Sequence, residues 1–186
     1  MNKKILAFGA SNSRSSINKQ LATYAAHQVK DATVTVLDLN DFEMPLYGID
    51  REKEEGVPQL AYDFRDHIAQ ADGIVISFAE HNGSYAVAFK NIFDWVSRIE
   101  KGVWMKKPLF LMATSPGGRG GRTVLDIAVN KFKFMNAGEI YDFCLPAFRT
   151  HFSQEAGIVD PELKRTFQEQ LAQFEQAMAQ PEVSTA

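Results

Sequence analysis

Five short apolar runs alternate with segments of helical period along this chain, and that alternation leaves few architectures open. The runs are Lys4–Phe8, Thr33–Leu39, Gly73–Phe78, Pro108–Ala113 and Glu139–Leu145. Residues 74–78 and 109–113 are apolar almost without break, the pattern of strands covered on both faces. Residues 17–29, 57–71, 84–98 and 121–135 read as the intervening helices. Ile17, Leu21, Ala25 and Val29 form one apolar face, Leu60, Ala61, Phe64 and Ile68 a second, and Phe89, Ile92, Phe93 and Val96 a third. A last helix begins at Asp160-Pro161, an N-cap followed by proline at the first turn, and continues through Leu163, Phe167, Leu171, Phe174 and Met178. Residues 41–56 read as a long polar loop, and 180–186 as a fraying tail. The expectation is one α/β domain over 1–179: an open parallel sheet with helices on both faces and strand order 2-1-3-4-5.

In such a sheet, ligands sit beyond the carboxyl ends of the strands where the order reverses, between strands one and three. The unusual loops should then follow strands one, three and four, and they do. The first is Gly9-Ala10-Ser11-Asn12-Ser13-Arg14-Ser15-Ser16-Ile17-Asn18. A strand ending in a hydroxyl-rich loop that turns into a helix suits a phosphate monoester, because the helix N-terminus presents free N–H groups and partial positive charge. It lacks the second and third glycines of a dinucleotide fingerprint and the Gly-Lys-Ser/Thr end of a Walker loop. The second loop, Ala79-Glu80-His81-Asn82-Gly83-Ser84, carries a carboxylate, an imidazole and an amide. The third, residues 114–121, has four glycines in eight residues, which lets backbone approach a ligand closely. A flat heterocycle could lie against the second and third loops with its phosphate in the first. Each loop also has a purely structural reading: a turn capped by Ser16, a helix start capped by Asn82 or Ser84, and a flexible turn before the fourth helix.

The bulk numbers exclude several classes. With 186 residues and a net charge of −3, there is no electrostatic footprint for nucleic acid. The apolar runs are far too short for a membrane span. Lys3-Lys4 before an apolar run superficially resembles a signal peptide, but the run ends at Gly9 and reads as a first strand. The single cysteine, Cys144, allows no internal disulfide and reads as a core residue; together these features point to the cytoplasm. His27 and His67 read as surface positions on helices, and no histidine–carboxylate set has metal-ligand spacing.

At this level of detail the chain resembles the NADPH-dependent FMN reductases, a family with a flavodoxin-like α/β/α sandwich that includes quinone, chromate and azo-dye reductases. The resemblance rests on Ser11-x-Ser13-x-x-Ser16-x-Asn18, on Glu80-His81-Asn82-Gly83-Ser84 with Lys90-Asn91 and Asp94-Trp95 downstream, and on Ser115-Pro116-Gly117-Gly118. It implies FMN as cofactor and NADPH or NADH as hydride donor. A quinone, azo compound, nitroaromatic, metal oxyanion or free flavin would then accept the electrons by ping-pong kinetics, with no catalytic side chain.

It also implies roles for particular residues. Ser11, Ser13, Arg14, Ser16, Ile17 and Asn18 would hold the FMN phosphate, although the family's arginine position is Ser13 here and Arg14 follows it. Glu80, His81, Asn82, Gly83 and Ser84 would lie along the flavin ring; Ala79 and His81 replace the usual proline and tyrosine. Ser115, Pro116, Gly117 and Gly118 would contact the ring, and Arg119 is either a contact for the NADPH 2′-phosphate or a solvated charge. Met44-Pro45-Leu46-Tyr47 would cover a partner's flavin in a homodimer or homotetramer, and Asp94 and Trp95 read as packing and subunit contact. His151 is a candidate on the substrate side. The rival reading is a flavodoxin-type electron carrier with no NAD(P)H reaction of its own.

Overall fold

The computed structural model describes residues 2–135 and 138–179. The chain runs β1 (Lys3–Ala10), α1 (Ile17–Gln28), β2 (Ala32–Leu37), a 3₁₀ turn (Leu39–Phe42), α2 (Ile49–Glu55), α3 (Gln59–Gln70) and β3 (Gly73–Phe78). It continues through β4 (Glu80–His81), β5 (Ser84–Tyr85), α4 (Val87–Ile99), β6 (Leu109–Thr114), α5 (Arg122–Phe134) and β7 (Ile140–Leu145). It ends with α6 (Phe148–His151), β8 (Phe152–Ser153), β9 (Gly157–Ile158) and α7 (Pro161–Ala179). β1, β2, β3, β6 and β7 form one all-parallel sheet in the order β2-β1-β3-β6-β7, which is the expected 2-1-3-4-5.

The two-residue period of the strands divides the core between the faces. Ile5, Ala7, Val75, Phe110 and Met112 point to one side, where Leu21 and Ala25 of α1 meet Phe167, Leu171 and Phe174 of α7. Leu6, Phe8, Ile74, Ile76, Phe78 and Leu111 point to the other, against Phe64 and Ile68 of α3, Phe89 and Trp95 of α4 and Phe132 of α5. That second face is dominated by aromatic rings in mutual contact, such as Phe78 edge-on to Phe89 at 5.3 Å and Trp104 against Phe132 at 4.7 Å.

Three local expectations are corrected. Residues 41–56 are not a featureless loop: Asp38 caps the 3₁₀ turn through the Asn40 N–H, and α2 follows. Helix α2 buries no residue, so it has no apolar stripe for a periodicity argument to find; Glu52 ties it to Tyr47 and to Arg98 of α4. The helix expected over 84–98 is α4, and it starts at Val87 rather than Ser84, because Glu80–His81 and Ser84–Tyr85 pair as a hairpin. Its two-residue turn is Asn82-Gly83, with φ of 52° and 74°, the left-handed pair such a turn requires. Cys144 is half-buried rather than in the core, its thiol donating to the carbonyls of Arg119 and Gly120. The tail from Gln180 lies outside the described residues.

Gly9 decides where α1 begins. A Cβ at this position would stand 2.4 Å from the backbone nitrogen of Lys19. Only glycine therefore lets the first turn of α1 lie directly on the end of β1, which sets its N-terminus at the carboxyl edge of the sheet.

Candidate functional site

The loops after β1, β3 and β6 enclose a cleft of about 220 Å³ at the carboxyl edge of the sheet. Ser11, Ser13, Ser16, Ile17 and Asn18 line it from the first loop, Glu80 and His81 from the hairpin, and Ser115 and Pro116 from the third loop. Asn82, Gly83 and Ser84 lie at or beyond the hairpin tip, and Gly117 and Gly118 lie outside its wall. The Arg14 side chain leaves the cleft for a neighbouring groove on α1. Arg119 is exposed and lines neither space; among the described residues it has no ion-pair partner.

The most constrained residue is Asn18, only 3% exposed. Its Oδ1 accepts from the Ser77 hydroxyl at 2.7 Å and from the Thr114 N–H at 3.1 Å, while its Nδ2 donates to the Thr114 carbonyl at 3.1 Å. One amide thus ties α1 to β3 and β6, across the crevice where the strand order reverses. Thr114 in turn donates its hydroxyl to the Leu145 carbonyl at 2.7 Å, extending the tie to β7. The sequence marks Asn18 as a candidate ligand; its burial and its long-range partners are visible only in the structure.

Ser16 caps α1, its Oγ accepting from the Lys19 N–H at 3.1 Å. Ser11 Oγ accepts from the Ser13 N–H at 3.2 Å. Both hydroxyls keep a proton to donate outward. The first-turn amides of Ile17 and Asn18 have no intrahelical acceptor within reach, and the first turn of α1 contains no acidic residue. The Glu80 carboxylate is turned away, accepting from the Val124 N–H at the start of α5. These donors with no facing carboxylate suit a phosphate dianion, so the residues present fit the phosphate end of FMN.

The glycine loop is fixed by its own geometry. Gly120 and Gly121 have φ of 60° and 79°, and a Cβ on Gly120 would stand 2.8 Å from Cys144 Sγ. The loop is also pinned to the segment after β7, with Ala147 N–H on the Gly117 carbonyl at 2.9 Å and Phe148 N–H on the Ser115 carbonyl at 3.0 Å. Burial pushes the Cys144 thiol up to about 11, which keeps it protonated as a support for this loop.

A second groove adjoins the cleft at His81 and runs between Asn12, the segment 39–46 and α4. Its floor is held by Trp95, expected to serve packing and subunit contact, and by Asn91, marked in the sequence only as part of the family motif. Trp95 is fully buried and donates its indole N–H to the Pro45 carbonyl at 2.8 Å. Asn91 accepts from the Tyr47 N–H and donates to the Met44 carbonyl, so α4 fixes residues 44–47 in place. Asp94 pairs with Lys90 on the surface of α4. His151 donates its Nδ1 proton to the Pro146 carbonyl at 2.9 Å, bracing the turn after β7.

A five-stranded parallel sheet of this order, with the loops after its first, third and fourth strands converging at the crevice where the order reverses, defines a flavodoxin-like protein. The chain belongs to the NADPH-dependent FMN reductase family, whose model matches residues 3–151. It is similar to the quinone reductase of Escherichia coli K12, 38% identical over 79 residues that cover 42% of each chain. It is also similar to the NADPH:quinone oxidoreductase of Arabidopsis thaliana, 30% identical over 131 residues, covering 69% of this chain and 66% of that one. Among solved structures, the flavoenzyme NAD(P)H:acceptor oxidoreductase FerB of Paracoccus denitrificans shares the fold with a TM-score of 0.75 at 20% identity, over 95% of this chain and 97% of that one.

Proposed function

We propose that this chain is an FMN-dependent NAD(P)H oxidoreductase that reduces quinone-type acceptors. The observation that carries the reading is the convergence of the loops after β1, β3 and β6 on one cleft with uncompensated donors on the α1 side. Ser11, Ser13, Ser16 and the amides of Ile17 and Asn18 would hold the phosphate. Glu80, His81, Ser115, Pro116, Gly117 and Gly118 would flank the ring. When bound, FMN supplies the redox chemistry, taking a hydride from NAD(P)H and passing electrons to the acceptor.

The chain's own part is to bind and orient. Asn18 fixes α1 against β3 and β6, and Glu80 fixes the hairpin against α5. Exposed His81, between the cleft and the groove beside it, would meet whichever molecule enters over the ring. Donor and acceptor would use the same space in turn, which is ping-pong behaviour. Exposed Leu46, Ile49 and Val87 around that groove support a homodimer or larger homo-oligomer. No helix among the described residues is long and apolar enough to cross a membrane, and the single unpaired cysteine supports a cytoplasmic setting.

The test is anaerobic mixing of the FMN-loaded protein with NADPH or NADH. Loss of the oxidised flavin's visible absorbance is the expected result. Retention of FMN without bleaching by either nucleotide would replace this reading with an electron carrier, and failure to bind FMN at all would overturn it.

A further inference from the structure

The largest of the grooves described lies on the outer face of α1, next to the phosphate cleft, and nothing above uses it. It has a volume of about 440 Å³ and shares Ser15 and Ser16 with the cleft. One flank is Arg14 with Lys19 and His27 of α1; the other is Phe152 of the β8–β9 hairpin, edge-on to Tyr24 at 5.4 Å. No carboxylate lines it among the described residues. Lys19 is engaged by Asp38 at 2.6 Å, so those two charges cancel. His27 donates its Nδ1 proton to the Thr23 carbonyl at 2.8 Å, which leaves Nε2 for a ligand. Arg14 makes no ion pair with any described residue and is exposed at the groove's mouth.

A groove with an uncommitted guanidinium, aromatic side chains and side-chain amides, and no carboxylate, suits an anionic ligand that carries a flat ring. Its position narrows the class. It opens off the cleft assigned to the flavin phosphate, so an extended ligand lying over that cleft can place its far end here. We infer that this groove takes the adenosine 2′-phosphate end of NADPH, with Arg14 as the phosphate contact and Phe152 as the apolar wall for the adenine. Arg14 is then a specificity residue that favours NADPH over NADH. The inference rests on the NAD(P)H reading above.

The experiment is calorimetric titration of the FMN-loaded protein with 2′,5′-ADP and, separately, with 5′-AMP, for wild type, Arg14→Lys and Arg14→Gln. Wild type should bind 2′,5′-ADP about ten- to a hundredfold more tightly than 5′-AMP, the range of one hydrogen-bonded charge pair. Arg14→Gln should erase that difference, and Arg14→Lys should keep part of it. The ratio of KM for NADH to KM for NADPH should fall by a similar factor in Arg14→Gln. Equal affinity for the two adenylates in wild type, or an undiminished difference in Arg14→Gln, overturns the inference. Failure of the protein to take up FMN in the loading step is a different result, which overturns the cofactor reading and is seen before any adenylate is added.

Discussion

Replacing Asn18 by alanine separates a scaffolding role from a ligand role at the heart of the cleft. The amide satisfies three buried groups: the Ser77 hydroxyl, the Thr114 N–H and the Thr114 carbonyl. Ser77 is wholly buried and Thr114 nearly so, and each unpaired group costs about 1–3 kcal/mol. Water entering the amide-sized gap recovers part of that sum, leaving a loss of about 3 kcal/mol. For a chain of this size the loss lowers Tm by about 6–12 °C. The assay is thermal unfolding of the flavin-free protein, where no phosphate contact exists to be lost. Asn18→Asp is the companion variant. It keeps an acceptor for Ser77 and Thr114, loses the donor to the Thr114 carbonyl, and puts a negative charge beside the proposed phosphate position. It should weaken FMN binding more than Asn18→Ala does. A flavin-free Asn18→Ala protein melting within about 2 °C of wild type would refute the scaffold role and make Asn18 a ligand alone.

Two other predictions concern the loops and the pH response. Gly120→Ala forces a left-handed φ on a side chain that also meets Cys144 and the Leu145 backbone, and should cost about 2–5 kcal/mol. Gly118→Ala faces open space and should stay within about 0.5 kcal/mol. Urea midpoints check both, and equal shifts would contradict the geometry. The Lys19 ammonium, aided by the Asn40 N–H, holds the Asp38 carboxyl at about 2, below its ordinary 3.8. The folded-state value lies below the unfolded one, so the pair stabilises fully above about pH 4 and loses its effect as pH falls toward 2. Both side chains are about one-third exposed, and solvent screening leaves about 1 kcal/mol. The stability gap between wild type and Asp38→Asn should be constant near neutrality and close as the solution is acidified; a gap that widens in acid would reverse the assignment.

The sheet was legible because its central strands β1, β3 and β6 are buried on both faces and read as apolar runs, because the edge strand β2 alternates, and because the helices that cover the sheet pack by a stripe. Helix α2 was invisible for the converse reason: it buries nothing and is held by Glu52 to Tyr47 and Arg98. The hairpin after β3 was legible in principle. Asn82-Gly83 is a strong two-residue turn signal, but the apolar stripe of the following helix drew its boundary too early. The candidate site divides in the same way. That the three loops would meet followed from topology. That Asn18 spends its amide on Ser77 and Thr114, 59 and 96 residues away, followed from nothing local. Nor could the sequence show that Arg14 leaves the cleft its neighbours line.

The structure also separates the rigid parts of the cleft from the adjustable one. Asn18 clamps the first loop to β3 and β6, and the third loop is pinned by its bonds to Ala147 and Phe148 and by the half-buried thiol beneath it. Glu80 anchors the base of the hairpin to α5. These bonds lie within the chain and owe nothing to a ligand, so the proposed phosphate end of the cleft is organised before anything binds, which lowers the ordering cost of binding. The hairpin tip is different: His81, Asn82 and Ser84 are exposed and none is tied down by a side-chain bond among the described residues. On the proposed reading, variation at 81 changes what is accepted over the ring without disturbing the phosphate end.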